Sequence, residues 1–223
     1  MMRRYWALLL PIVCVGCASG PGAVYDAMRA ALSLPTADSA HPPALQADLQ
    51  YLQVAQNGQT SRLALGYREP LTTNPDSQAE VWFAGNGNLL KLHNGRLIAS
   101  TGLATDWRAV RWTALPQWRD VPAQGVTYER ERDVMPGYRY GLRDRLHLRP
   151  MPAPPALAPS GVAWRANDMR WFEETDLNGH LPAGYFAVDP SRPEYPVVFS
   201  YQSLAADLCL SISPLQSRKD GSP

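Results

Sequence analysis

Neither sign of charge dominates this chain. Its 223 residues carry 21 Lys and Arg against 20 Asp and Glu, a formal charge of +1. A nucleic-acid binder shows a basic excess or a basic face, so that class is set aside. Cysteine is scarce, with three in all: Cys14, Cys17 and Cys209. The long apolar run, Trp6–Val15, falls well short of the ~20 residues a membrane-spanning helix needs. Histidine is sparse too. His41, His93, His147 and His180 share no metal-ligand spacing with one another or with Cys209, so no metal and no cofactor is expected. A G-x-S-x-G elbow and a phosphate-cradling glycine loop are both missing. No segment repeats with a period of 20 to 50 residues.

What the chain has in quantity is 21 Pro, 16 Gly, 10 Tyr and 7 Trp. Turn formers and aromatics among short segments indicate an all-β domain, and the length suffices for one buried core. The expected class is an antiparallel barrel-like or sandwich domain with one short N-terminal helix.

The first residues read as a secretory leader. Arg3 and Arg4 precede the apolar run, and small residues close it. The sequence "CVGC" then offers Gly16 before a cut and Cys17 directly after it. This resembles a bacterial lipobox, with Cys14 where Leu is usual. The resemblance implies a thioether-linked diacylglycerol on Cys17 and cleavage after Gly16. A redox pair needs a folded βαβ context, which an N-terminal apolar run does not supply. An uncleaved anchor is the other alternative. Each buried CH₂ contributes about 0.8 kcal/mol, so two or three acyl chains hold a protein where one holds it marginally. Ala18 lacks the acidic signal that keeps lipoproteins at the inner membrane in enteric-type bacteria, so the expected site is the periplasmic face of the outer membrane. Loss of Arg3 and Arg4 takes the formal charge from +1 to −1. Cys209 is then left without an intramolecular partner and reads as a small buried residue in a strand.

The expected organisation is a signal peptide over 1–16, a tether over 17–22 and one domain over 23–223. Helical spacing of Val24, Met28, Ala31 and Leu32 predicts a helix from Ala23 to Leu34. Alternation follows. Leu45, Ala47, Leu49 and Tyr51 share one parity, and "SRLALGYRE" and "AEVWFAG" read as further strands. Asn94–Gly95 between Leu89–Leu92 and Leu97–Ser100 predicts a hairpin, because both turn positions require positive φ. A short helix is expected around Trp107 to Trp112. Pro136–Gly137 fits a type II turn. The strand before it places Tyr128, Arg130 and Arg132 on one face and Glu129, Glu131 and Asp133 on the other. With no dry side, it is expected to project from the sheet or line a groove. Pro150–Gly161 reads as an extended surface connector.

Candidate chemistry is thin. Glu173 and Glu174 are adjacent and so point to opposite faces of a strand, which prevents them from flanking one glycosidic bond. Asp189 is a further carboxylate that nothing selects. The chain is therefore expected not to be an enzyme. Trp82, Trp107, Trp112, Trp118, Trp164 and Trp171 can stack on sugar rings, although aromatics in β proteins usually fill cores. In "DWRAVRWTALPQWRD", Trp107, Trp112 and Trp118 stand among Arg108, Arg111 and Arg119. Trp107, Arg108, Arg111, Trp112 and Trp118 are accordingly the candidate glycan or partner surface.

Three blocks carry a family resemblance. The first holds Asn94, Gly95, Arg96, Leu97, Ile98, Gly102, Leu103, Asp106 and Trp107. The second is "MPGYRYGLR", Met135–Arg143. The third holds Tyr185, Phe186, Val188, Asp189, Pro190, Phe199, Ser200, Tyr201 and Gln202. In order and spacing the chain resembles the YjbF/GfcB family of outer-membrane lipoproteins, encoded beside group-four capsule and exopolysaccharide export systems. It departs from the family at Phe186, where Trp is usual, and at "SRPEY", where a tight glycine turn is usual. The resemblance implies an all-β, barrel-like domain. It also implies a role in capsule or exopolysaccharide export or biofilm matrix formation, with no catalytic residue to carry over. Partners would be the membrane through the lipid, an outer-membrane β-barrel and a periplasmic sister protein. Two readings follow: an accessory factor that docks on export partners, or a protein that binds the polysaccharide directly. A glycan-modifying enzyme is a weaker third.

Overall fold

The computed structural model of the chain describes residues 45–46, 48–71, 74–154, 157 and 166–215. The leader, Gly16, Cys17, the tether, the helix expected over 23–34, His41 and Trp164 lie outside them.

Among the described residues twelve strands form one antiparallel sheet. They are β1 (Tyr51–Gln56), β2 (Gln59–Leu71), β3 (Asn74–Ala84), β4 (Leu89–His93), β5 (Arg96–Thr101) and β6 (Asp106–Trp112). The second half comprises β7 (Val126–Met135), β8 (Arg139–Met151), β9 (Arg170–Asp176), β10 (Gly184–Val188), β11 (Val197–Ala205) and β12 (Leu208–Leu215). Sequential neighbours pair throughout, and β1 pairs with β12, so the sheet curls into a nearly closed barrel with β5 and β6 as its edges. The expected all-β, barrel-like class is what the chain adopts.

The hairpin at Asn94–Gly95 forms as its sequence requires, with φ of 48° and 75°. Other elements differ from expectation. The first strand begins at Tyr51, and Leu52 and Val54, not Tyr51, join the core cluster. The segment around Trp107 is a strand, not a helix. A bulge between Trp107 and Ala109 resets the alternation, so Trp107, Val110 and Trp112 all turn inward opposite Val134, Arg132 and Arg130. Spacing of three across a bulge imitates a helix in sequence. The β7–β8 tip is a three-residue turn entered through a cis Met135–Pro136 bond, with Gly137 and Tyr138 at positive φ, in place of a type II turn. The start of the Pro-rich connector packs Met151, Ala153 and Leu157 onto an outer apolar cluster of Trp171, Ala187 and Phe199.

The main core fills the lumen with Leu52, Leu63, Trp82, Leu92, Leu97, Trp107, Val134 and Leu210. A second cluster under β7–β10 holds Trp118, Tyr128, Leu146, Leu148, Phe172, Phe186 and Val188.

No backbone ladder joins β5 to β6, and side chains close that seam. The Gln202 amide accepts from Leu97 N–H at 2.8 Å and donates to Gly95 C=O at 2.9 Å. Ser100 Oγ accepts from Trp107 N–H at 3.1 Å and donates to Asp106 at 2.8 Å. The Asp106 carboxylate also takes the N–H groups of Gly102 and Leu103 at 3.0 and 3.2 Å. Gly95 itself has no room for a side chain, because a Cβ there would overlap Val197 on β11.

Replacing Gln202 with Leu keeps the volume but strands a buried donor and a part-buried acceptor. Each such group costs roughly 1–3 kcal/mol. Urea denaturation is expected to show Gln202→Leu destabilised by about 2–5 kcal/mol, against about 0.5 kcal/mol or less for Gln53→Leu on exposed β1 surface.

Candidate functional site

The alternation of β7 does not line an exposed groove. It sends Tyr128, Arg130 and Arg132 into the barrel, where Arg130 and Arg132 are 8% and 5% exposed. The strand has a buried side after all, one that is charged and that meets carboxylates from its neighbours. Asp144 on β8 receives Arg132 through Nε at 2.7 Å and Nη2 at 3.1 Å. Arg130 reaches the same carboxylate through Nε at 2.9 Å and Nη2 at 2.8 Å. Arg130 Nη1 also lies 3.4 Å from Glu174 on β9. The Tyr128 hydroxyl donates to Glu174. Both guanidinium groups lie over the Trp107 ring, with Arg130 4.7 Å from its centroid.

Arg96, from edge strand β5, completes the network. It stacks on Trp118 with its guanidinium carbon 3.6 Å from the ring centroid, and its Nε stands 3.9 Å from Glu174. That Nε is buried without a hydrogen-bond partner among the described residues. Burial raises the Tyr128 hydroxyl well above its ordinary value, and the Glu174 charge adds to the effect. Burial pushes the Asp144 carboxyl up, but hydrogen bonding and charge from Arg132 and Arg130 outweigh it and hold the group below its ordinary range.

Asp144, Asp176 and His180 bring potential ligand atoms within 4.8 Å of one another, a meeting that sequence spacing had concealed. Asp144 is already engaged by two arginines. Asp176 accepts from the backbone N–H groups of Asn178, His180 and Leu181 at 3.0, 2.9 and 3.2 Å. These two carboxylates therefore neutralise guanidinium groups and cap a turn.

The barrel is concave at the end where β1 begins and β12 finishes. A cleft of about 850 Å³ opens there, floored by Leu52, Trp82, Leu92 and Ile212. At its rim Arg68 bonds Glu80 at 3.0 Å and Gln50 at 3.0 Å. Trp82 is 4% exposed, and its indole N–H has no acceptor among the described residues.

The five residues expected to form one aromatic–arginine surface do not do so. Trp107 and Trp118 are 2% and 4% exposed, and their indole N–H groups donate to Leu204 C=O and Asn94 C=O at 3.0 and 3.1 Å. The bulge turns Trp112 inward as well, to 6.2 Å from the His93 ring. Arg108 is exposed, while Arg111 is held by Glu131 and Asp133 on the outer face at 2.9–3.1 Å. The core reading prevails for Trp107, Trp112 and Trp118 because each ring packs into an inner cluster.

Other candidates resolve simply. Glu173 and Glu174 do face opposite ways: Glu173 bonds Arg149 and Tyr185 outside the lumen, and Glu174 lies within it. Burial lowers the His93 imidazole, whose Nδ1 lies 2.8 Å from Gln78 C=O. Asp189 bonds the Ser191 backbone and hydroxyl in a turn. Cys209 is half-buried, not buried, with Sγ 3.1 Å from Ser203 Oγ.

A nearly closed antiparallel barrel, ion-paired within its lumen and concave at one end, is the class these residues define. Among solved structures the chain is similar to the crystal structure of the hypothetical lipoprotein YmcC from Escherichia coli (K12), with a TM-score of 0.56 and 19% identity. The match covers 78% of this chain and 91% of that one, and at this identity it establishes a shared fold. No family model and no curated protein sequence matches the chain.

Asp144→Asn leaves two buried guanidinium groups short of charge and is expected to cost about 3–5 kcal/mol at pH 7. The native carboxyl titrates below its ordinary 3.8. Its contribution is therefore fully present above about pH 4 and is lost as pH falls through the lower folded value. Urea titrations at pH 7 and pH 3 are expected to show the penalty of Asp144→Asn shrinking in acid. An equal penalty at both values contradicts the assignment.

Proposed function

We propose that this chain is a lipid-anchored envelope lipoprotein. Acyl chains on Cys17 hold it at the periplasmic face of the outer membrane. There it serves as a non-enzymatic accessory factor in capsule or exopolysaccharide export or biofilm matrix formation. The observation that carries this reading is a pairing within one chain. A Gly16–Cys17 cleavage motif precedes a barrel whose fold is that of a protein described as a hypothetical lipoprotein. The three blocks that resemble the YjbF/GfcB family support the finer role.

The geometry suits an accessory factor. The buried carboxylates of Asp144 and Glu174 are committed to arginine and tyrosine side chains, which stiffens the interior and leaves the outer faces and loops for docking. Export partners are an outer-membrane β-barrel and a periplasmic sister protein, engaged at the membrane face.

Mass spectrometry of the mature protein from its native envelope is expected to find the chain starting at Cys17 with a diacylglycerol on its sulfur. Cys17→Ser is expected to move the protein out of the membrane fraction. Crosslinking in intact envelopes is expected to capture export proteins. A bare Cys17 sulfur defeats the anchor, and a crosslinked set without export proteins defeats the role.

A further inference from the structure

The concave end of the barrel has the chemistry of a binding site. Its rim brings together the amides of Gln50, Gln78 and Asn94, the guanidinium of Arg68 and the carboxylate of Glu80. Beneath them stands Trp82, nearly fully buried, with an indole N–H that no acceptor among the described residues satisfies. An unmet buried donor is uncommon and destabilising in a folded protein. A volume of about 850 Å³ is within the usual range for small-ligand clefts.

We propose that this cleft binds a neutral saccharide segment of an exopolysaccharide. The class follows from the lining. Paired amides and a fixed Arg68–Glu80 pair present donors and acceptors side by side, as adjacent sugar hydroxyls require. A ligand oxygen at the floor gives the Trp82 N–H its acceptor. Charge argues against an anionic ligand. Arg68 is already paired, and Asp48, Glu80 and Glu194 outnumber it around the cleft. A phosphate or uronate would meet more carboxylate than guanidinium. An acyl chain would leave the rim amides facing hydrocarbon.

The choice of polymer rests on the proposed export role, but the site and its ligand class do not. The test uses the full mature chain, purified from membranes in detergent. The probes are maltotetraose, cellotetraose and chitotetraose, trigalacturonate as the acidic control, and neutral fragments cut from the host's own exopolysaccharide. Saturation-transfer NMR is expected to detect at least one neutral oligosaccharide and not trigalacturonate. Glu80→Gln and Trp82→Phe are expected to weaken that binding about tenfold or more, the loss for a hydrogen bond involving a charged or buried partner. Glu80 is at the rim, so Glu80→Gln is expected to keep the wild-type melting temperature within a few degrees.

Several results overturn the proposal. These are silence from every neutral oligosaccharide, preference for trigalacturonate, affinity unchanged in both variants, or native mass spectrometry showing an acyl lipid in the cleft. If the chain is lipidated and crosslinks to export proteins yet binds no sugar, this inference fails and the accessory role stands. If it binds sugar without those partners, the reverse holds.

Discussion

Between β5 and β6 a backbone ladder is replaced by three side chains, and the barrel holds its shape through them. A curled sheet that stops short of closure leaves two rows of unpaired N–H and C=O groups. Where such groups are buried they must find partners. Gln202 reaches across from β11 and pairs with the Leu97 N–H and the Gly95 carbonyl as a strand would. Ser100 and Asp106 do the same at the far end of the seam. The amide of Gln202 can act this way only because β5 lies close over β11. That proximity in turn requires glycine at position 95, where any Cβ would collide with Val197.

The seam and the ionic interior meet at Trp107. Its backbone N–H is bound by Ser100, its indole N–H by Leu204, and its ring lies under Arg130 and Arg132. Burying three arginines costs desolvation that their ion pairs roughly offset, so the network is a poor source of net stability. Register is a better account of its effect. A slip of one residue between β7 and β8 would turn Arg130 and Arg132 outward and bring Glu131 and Asp133 into the lumen beside Asp144 and Glu174. Several carboxylates, Glu129 among them, would then share a dry space with Arg96 as their nearby cation. The charge pattern penalises the wrong pairing more than it rewards the right one.

Local signals were legible in the sequence wherever local physics decides. Asn94–Gly95 dictates its turn, and alternation marked most strands. The failures have one cause, which is that the deciding contact is distant. Trp107 to Trp112 looks helical because a bulge opposite Val134 and Asp133 shifts its parity. Arg130 and Arg132 look exposed because the residues that neutralise them, Asp144 and Glu174, lie 12 to 44 positions away on other strands. The family-like blocks become intelligible in the same terms. Gly95, Arg96, Asp106 and Trp107 belong to the first block and Gln202 to the third, and all of them lie at the seam or touch the network beneath it. The glutamine announces nothing in sequence, because an amide substituting for a strand has no periodicity.

Filled and open regions of the lumen lie side by side. Salt bridges and stacked aromatics fill it beneath β7–β10. Where β1 begins and β12 finishes, with Tyr51 opposite Leu215, it widens into the cleft around Trp82. The open part needs the stiffness of the filled one, since its walls are single strands whose inner faces have lost packing partners. The described chain enters and leaves the barrel at this same end, through β1 and β12.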